Sequence, residues 1–317
     1  MKKMKLAKKM MCFTAATLLT LSMLTGCQKT SEKSAEDTTT TKVASETATT
    51  QATATDTTTA TSGESALLTA IKEKGYITIG SSNDAPFCYE DVDTKELKGI
   101  DIEILREVCK RLGIADIKMK TIDFSNLLVE LNNKSVDMVV DGMYVKDERL
   151  QIAAFTDKWY QEGEAVVIAK DSTIASAEDL KDKNVGAQPG TTFYDTAQKW
   201  LDEGRIGNLT AYDNQATLMT AVNMGKVDAV VTDGIVAGYT LASDSSLNLK
   251  LLAPYTAEAS GQIGSAVRFE DEAFATEINA VLKEMKDDGT LMKILESYGL
   301  TEDYFVSVED GVTKNVK

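Results

Sequence analysis

Two stretches of the chain repeat one another, and both end in residues able to hold a small zwitterion. The first runs Leu127-Leu-Val-Glu-Leu-Asn-Asn-Lys-Ser-Val-Asp-Met-Val-Val-Asp-Gly142. The second runs Leu218-Met-Thr-Ala-Val-Asn-Met-Gly-Lys-Val-Asp-Ala-Val-Val-Thr-Asp-Gly234. Each reads as an amphipathic helix, a tight turn and a short apolar strand. One strand runs out at Asp141-Gly142, the other at Thr232-Asp233. Ligands of open α/β sheets sit beyond the carboxyl ends of the strands. Arg149 follows the first repeat closely, and Asp233 closes the second. A cation and an anion converging on one cleft match the carboxylate and the ammonium of an amino acid. Asp137 and Asp228 stand at the opposite ends of the same strands and read as structural.

Other chemistry is excluded by composition. The chain has no histidine, so it lacks the commonest general base and the commonest metal ligand. Serine–histidine and cysteine–histidine catalysis are ruled out, and neither a metal nor a cofactor is expected. A formal charge of −15 repels nucleic acid and anionic lipid. Cys88 and Cys109 are the only cysteines of the body, with no CxxC spacing. They are either a disulfide or two buried thiols, and the second reading is the expected one.

The elements that must position these residues alternate. Strands are expected at 76–80, 117–122, 138–141, 164–169, 184–187, 209–212, 229–231 and 262–267. Helices are expected at 101–112 with Asp101 as cap, and at 124–132, 147–152, 192–201, 214–223, 233–241, 272–288 and 290–298. Such alternation implies parallel sheets with helices on both faces. The long strands 164–169 and 262–267 flank the second repeat and read as crossings between two lobes. Lobe one is then 66–161 plus 258–305, lobe two is 162–257, and 306–317 is a tail.

The N-terminus reads as an address. Lys2, Lys3, Lys5, Lys8 and Lys9 precede an apolar run from Met10 to Leu24, too short to span a bilayer as a mature helix. It ends in Leu24-Thr25-Gly26-Cys27, which resembles the bacterial lipobox. Residues 1–26 are therefore expected to be a lipoprotein signal peptide. Residues 27–65 are expected to be lipidated Cys27 followed by a tether rich in Thr, Ser and Ala. With 14 threonines and no aromatic between Gln28 and Ser65, the tether cannot build a core.

The body resembles the family-3 extracellular solute-binding proteins, the polar amino-acid-binding components of ABC importers. The resemblance rests on Ile77-Thr-Ile-Gly80, Ala85-Pro-Phe87, Leu97-Lys-Gly-Ile-Asp101 and Gly142-Met-Tyr-Val-Lys-Asp-Glu-Arg149. It continues through Ala154-Phe-Thr-Asp157, Asp179-Leu-Lys-Asp-Lys-Asn-Val-Gly186, Pro189-Gly-Thr-Thr192, Lys226-Val-Asp-Ala-Val-Val-Thr-Asp233 and Asp287-Asp-Gly-Thr290.

The resemblance implies a two-lobed α/β periplasmic-binding-protein fold, of the Venus-flytrap type II, with two hinge-crossing strands. It also implies a monomer, lipid-anchored on the outer face of the bacterial cell membrane, that serves ABC permease subunits. By resemblance Arg149 grips the ligand carboxylate and Asp233 accepts the ammonium. Thr192, with Thr191 before it, forms a carboxylate-binding helix start. Gly142 and Tyr144 offer backbone, and Phe124 and Phe87 are apolar walls. Asp84 stands where relatives often place an aromatic residue, and Asp141 where a small residue is common. If both face the cleft, its surplus of carboxylates suits a cationic amino acid. Two other readings share the fold: a prephenate-like dehydratase using a cleft carboxylate, and a tethered ligand sensor.

Overall fold

The computed structural model describes residues 64–307. The signal peptide, Cys27 and nearly all of the expected tether and tail lie outside the described residues.

The first lobe begins with α1 (Ala66–Lys74), capped where Ser65 Oγ accepts the Leu68 N–H at 3.2 Å. The expected tether thus gives way to ordered chain by Ser65. Next come β1 (Ile77–Ser81), the antiparallel pair β2 (Tyr89–Glu90) and β3 (Leu97–Lys98), α2 (Ile100–Leu112) and β4 (Ile117–Thr121). They are followed by α3 (Leu127–Asn132), β5 (Met138–Val139), α4 (Asp147–Leu150) and β6 (Ala154–Phe155). Strand β7 (Tyr160–Glu162) leads to the second lobe: β8 (Glu164–Ala169), β9 (Asn184–Ala187), α5 (Thr192–Asp202), β10 (Asn208–Ala211) and α6 (Gln215–Asn223). That lobe closes with β11 (Ala229–Asp233), α7 (Gly234–Ser243) and β12 (Leu249–Leu251). The chain returns through β13 (Gly261–Ile263) to β14 (Ala266–Val267), then α8 (Glu272–Asp287) and α9 (Thr290–Ser297).

Two five-stranded sheets result, ordered β4-β1-β5-β14-β6 and β10-β9-β11-β8-β12. They are mixed, which corrects the expectation of parallel sheets. In each, three neighbouring strands are parallel, and the strand arriving from the other lobe pairs antiparallel to the third. That strand enters straight from a crossing, with no helix to reverse it. A second correction concerns the crossings. Strand 164–169 is interior to the second sheet, and the expected strand 262–267 is two strands. The antiparallel pair β7·β13 stands apart from both sheets and carries the chain between lobes.

The repeats are equivalent in three dimensions. Asp137 Oδ2 accepts the Thr78 N–H at the start of β1, and Asp228 Oδ2 accepts the Asn184 N–H at the start of β9, both at 2.8 Å. Each aspartate ties its strand to the neighbour at the end remote from the cleft. Helix α2 shows how the apolar spacing is used: Ile104, Leu105 and Val108 are fully buried beneath α8 and α9. Each such side chain contributes about 1.5–3 kcal/mol. Asp101 does not cap α2 as expected. It lies inside the first turn, and its carboxylate accepts the Gly142 N–H and the Tyr160 hydroxyl, both at 2.7 Å. Cys88 and Cys109 are buried and unbridged. The chain stays packed past the expected tail boundary: Phe305 bridges Tyr160, and Val306 is buried.

Candidate functional site

A pocket lies between the lobes, where β1, β5, β9 and β11 end. All ten expected ligand residues line it.

Arg149 projects from α4 and is only 6% exposed. Its Nη1 donates to the Tyr144 carbonyl at 2.7 Å and its Nη2 to the Gly190 carbonyl at 2.9 Å. The guanidinium lies 5.4 Å over the Phe124 ring, within cation–π range. Burial pulls its pKa down to about 10, so it stays charged at neutral pH. A guanidinium has about five N–H donors, and the two carbonyls take two of them. Beside it, Thr192 opens α5 with its hydroxyl buried and unpartnered. An orphaned hydroxyl at a helix start, next to a held guanidinium, is a place for an anion. Thr191 differs from Thr192: its hydroxyl accepts the Tyr194 N–H and donates to the Gln188 carbonyl, so its side chain serves the helix cap.

Asp233, at the junction of β11 and α7, accepts from Gln215 Nε2 at 3.3 Å. Glu162 of the crossing strand is in hydrogen-bonding contact with it. Burial first, and then the Asp233 charge, raise the Glu162 carboxyl well above its usual range, and its Oε2 accepts the Ile235 N–H at 3.1 Å. Asp233 itself is raised to about 7, by burial first, with Asp84 adding to the shift.

Asp84 and Asp141 both face the cleft side of lobe one. Ser82 Oγ contacts both carboxyls, and the Ser82 N–H donates to Asp141 Oδ2 at 2.8 Å. Burial raises both. Among the described residues, no group of three or more Cys, Asp or Glu side chains is placed to hold a metal ion.

Walls of the cavity are aromatic. Phe87 stacks on Tyr160 at 6.3 Å and lies under Gly142. Tyr144 meets Phe193 edge-on at 5.5 Å. The Tyr144 carbonyl accepts from Arg149 at 2.7 Å, which spends one of its two lone pairs.

The lobes touch across the cleft. Besides Arg149 to Gly190, Lys146 pairs with Asp195 at 2.9 Å, and the hydroxyls of Tyr89 and Tyr239 meet at 3.1 Å. Asp84 accepts from Gln188 Nε2 and from the Gln215 N–H, both at 3.4 Å. At Gly190 (φ +82°) a Cβ would lie 2.8 Å from Ser125 Cα, so the closed approach depends on glycine.

Sequence reasoning missed Gln188, Gln215 and Phe193 of the lining and Glu162 behind it. Gln188 was within reach, because it directly follows β9 and so lies beyond a strand's carboxyl end. Gln215 opens the second repeat's helix. Nothing local marks Glu162.

A sequence profile described as bacterial extracellular solute-binding proteins, family 3, matches residues 77–301. The arginine-binding extracellular protein ArtP of Bacillus subtilis is 31% identical over 228 residues, 71% of this chain and 86% of the relative. The L-cystine-binding protein TcyJ of Escherichia coli K12 is 28% identical over 239 residues, 74% of this chain and 86% of the relative. Among solved structures, an ancestral arginine-binding protein bound to arginine superposes with a TM-score of 0.65 at 31% identity. It covers 71% of this chain and 98% of its own.

Proposed function

We propose, on the premise that the chain belongs to the family-3 bacterial extracellular solute-binding proteins, that it is the substrate-binding lipoprotein of an ABC importer. It captures a polar, cationic amino acid between lobe one (66–161 plus 258–305) and lobe two (162–257) and hands it, chemically unchanged, to a permease. The supporting observation is one pocket between the lobes that gathers Arg149, the orphaned Thr192 hydroxyl and Asp233.

In this reading Arg149 and Thr192 take the α-carboxylate, and the backbone around Thr191 assists. Asp233 takes the α-ammonium. Phe124, Phe87 and Tyr144 flank the ligand, and Gly142 offers backbone. Asp84 and Asp141 receive the cationic end of the side chain, since the lining has three carboxylates and one cation. The arginine-binding relatives support this choice. Residues 1–26 direct export and Cys27 is diacylated, holding a monomer at the outer face of the membrane. The segment to Ser65 is a tether reaching roughly 35 Å.

The test is a thermal-shift screen of the purified protein against the twenty protein amino acids plus ornithine, citrulline and cystine. A ligand that binds only the folded state must raise the midpoint. Shifts confined to arginine, lysine or ornithine are expected. Shifts with neutral or dimeric amino acids would keep the transport role and discard the cationic one. Silence from folded, ligand-free protein would overturn amino-acid binding.

A further inference from the structure

We infer that Asp84 and Asp141 share a proton through the Ser82 hydroxyl, and that a cationic ligand must displace this proton to bind. The inference rests on the reading of the cleft as an amino-acid site and assigns its side-chain end a proton-for-cation exchange.

The argument is a count of hydrogens. Ser82 Oγ lies 2.7 Å from Asp84 Oδ2 and also contacts Asp141 Oδ2. A hydroxyl has a single hydrogen and can donate to only one of them. The other contact is a hydrogen bond only if that carboxyl is protonated and donates to Ser82 Oγ. The pattern recurs at the second oxygen of Asp141. Its Oδ1 lies 2.6 Å from Ser81 Oγ, which lies 2.9 Å from the Cys88 carbonyl. A carbonyl only accepts, so Ser81 can serve either the carbonyl or Asp141. Four acceptor contacts therefore meet two hydroxyl hydrogens. With both carboxyls ionised, two of these contacts would set lone pair against lone pair in a buried site, where an unmade hydrogen bond is costly. One proton on the pair removes at least one such clash. Ser82, Asp84 and Asp141 are all buried.

The surroundings give the pair no counter-charge. Asp233 faces Asp84 from lobe two, Asp101 lies behind on α2, and the Cys88 thiol packs alongside. Gln188 and Gln215 donate to Asp84 from lobe two, at long range and without charge. Arg149 is the only cation in the lining, and two of its donors are held by carbonyls. Burial raises both aspartates in the same direction as the hydrogen count.

An arriving guanidinium or ammonium supplies the missing donors and a positive charge. The shared proton then passes to solvent, one proton out for one cation in. A neutral amide side chain leaves it in place. The Asp233 end serves the α-ammonium of either ligand alike, so the difference between the two ligands isolates the Asp84–Asp141 pair.

The experiment is titration calorimetry with L-arginine and L-glutamine at neutral pH, in two buffers of different protonation heat. Arginine should release about one proton more than glutamine does, and D84N and D141N should abolish the excess. Equal proton exchange for both ligands, or an excess that survives both substitutions, would overturn the inference. A ligand-free readout keeps it independent of the functional proposal: the infrared band of a protonated carboxyl, compared between wild type, D84N, D141N and S82A. A band that D141N or D84N removes and S82A shifts supports the shared proton. Spectra unchanged by all three refute it, even if arginine gives no heat and the cationic reading has failed.

Discussion

In the proposed site Arg149 and Asp233 divide the two charges of a zwitterion between the lobes, and burial shifts the pKa of each. Arg149 holds its orientation through a two-pronged grip on the Tyr144 and Gly190 carbonyls. A lysine keeps the charge but loses the planar fork that serves these carbonyls and a carboxylate together. R149K is expected to weaken binding of the ligand found by the screen by about 2–5 kcal/mol, with a much smaller change in ligand-free melting. Calorimetry checks the first and a melt the second. Asp233 predicts a pH profile. Its pKa in the empty cleft is raised to about 7, and a bound ammonium favours its ionised form. Affinity is therefore full above about 7 and lost as pH falls through that value, by up to roughly tenfold per unit. D233N should bind weakly and flatten this limb. A wild-type profile already flat across neutrality would remove Asp233 as the ammonium partner.

At the scale of elements, the cleft wall depends on how α2, β5 and the crossing strand meet at Gly142. Its φ of +59° suits glycine, and a Cβ there would lie 2.6 Å from the Phe87 ring. Asp101 of α2 holds the Gly142 N–H and the Tyr160 hydroxyl together, so the wall and the crossing strand share one anchor. G142A is expected to cost about 1–3 kcal/mol of stability, read as a lowered melting midpoint. An unchanged midpoint would mean that Phe87 moves aside freely. Most element positions were legible beforehand, because caps, stop signals and apolar periodicity act over a few residues. Strand 164–169 matched end to end, and the helix expected from 214 starts one residue later with Asn214 as its cap. The split of 262–267 was not legible. Ile263 pairs with Tyr160 in the crossing and Ala266 with Val139 in the first sheet, so two different partners divide one apolar run.

At the scale of the molecule, two similar α/β lobes close on one pocket, and some of the contacts that close them also line it. Gln188 and Gln215 come from one lobe and Asp84 from the other, and Arg149 of the pocket reaches across to the Gly190 carbonyl. Closure and the proposed ligand recognition therefore share Arg149, Asp84, Gln188 and Gln215. The proposed delivery to a permease further requires that the body stay near the membrane. On the proposed anchoring, C27S is expected to release the protein from the membrane fraction into the soluble one, with ligand affinity unchanged, because Cys27 is not among the residues that line the pocket. Retention of C27S in washed membranes would show that another segment anchors the chain.

The sequence by itself determined the repeat and the types of charge available, since these follow from local periodicity and from which residues exist, and its family resemblance implied the two-lobed fold. It also marked Arg149 and Asp233, through strand-end position and resemblance. Only the tertiary structure decided that Asp84 and Asp141 turn inward, that Glu162 backs Asp233, and that Gln188 and Gln215 complete the lining. Those facts depend on pairs far apart in the chain: Gln215 meets Asp84 across 131 residues, and Ser82 meets Asp141 across 59. No local preference encodes such a meeting. It is fixed when two sheets pack through a shared crossing and when burial leaves each polar group only the partners that closure brings to it.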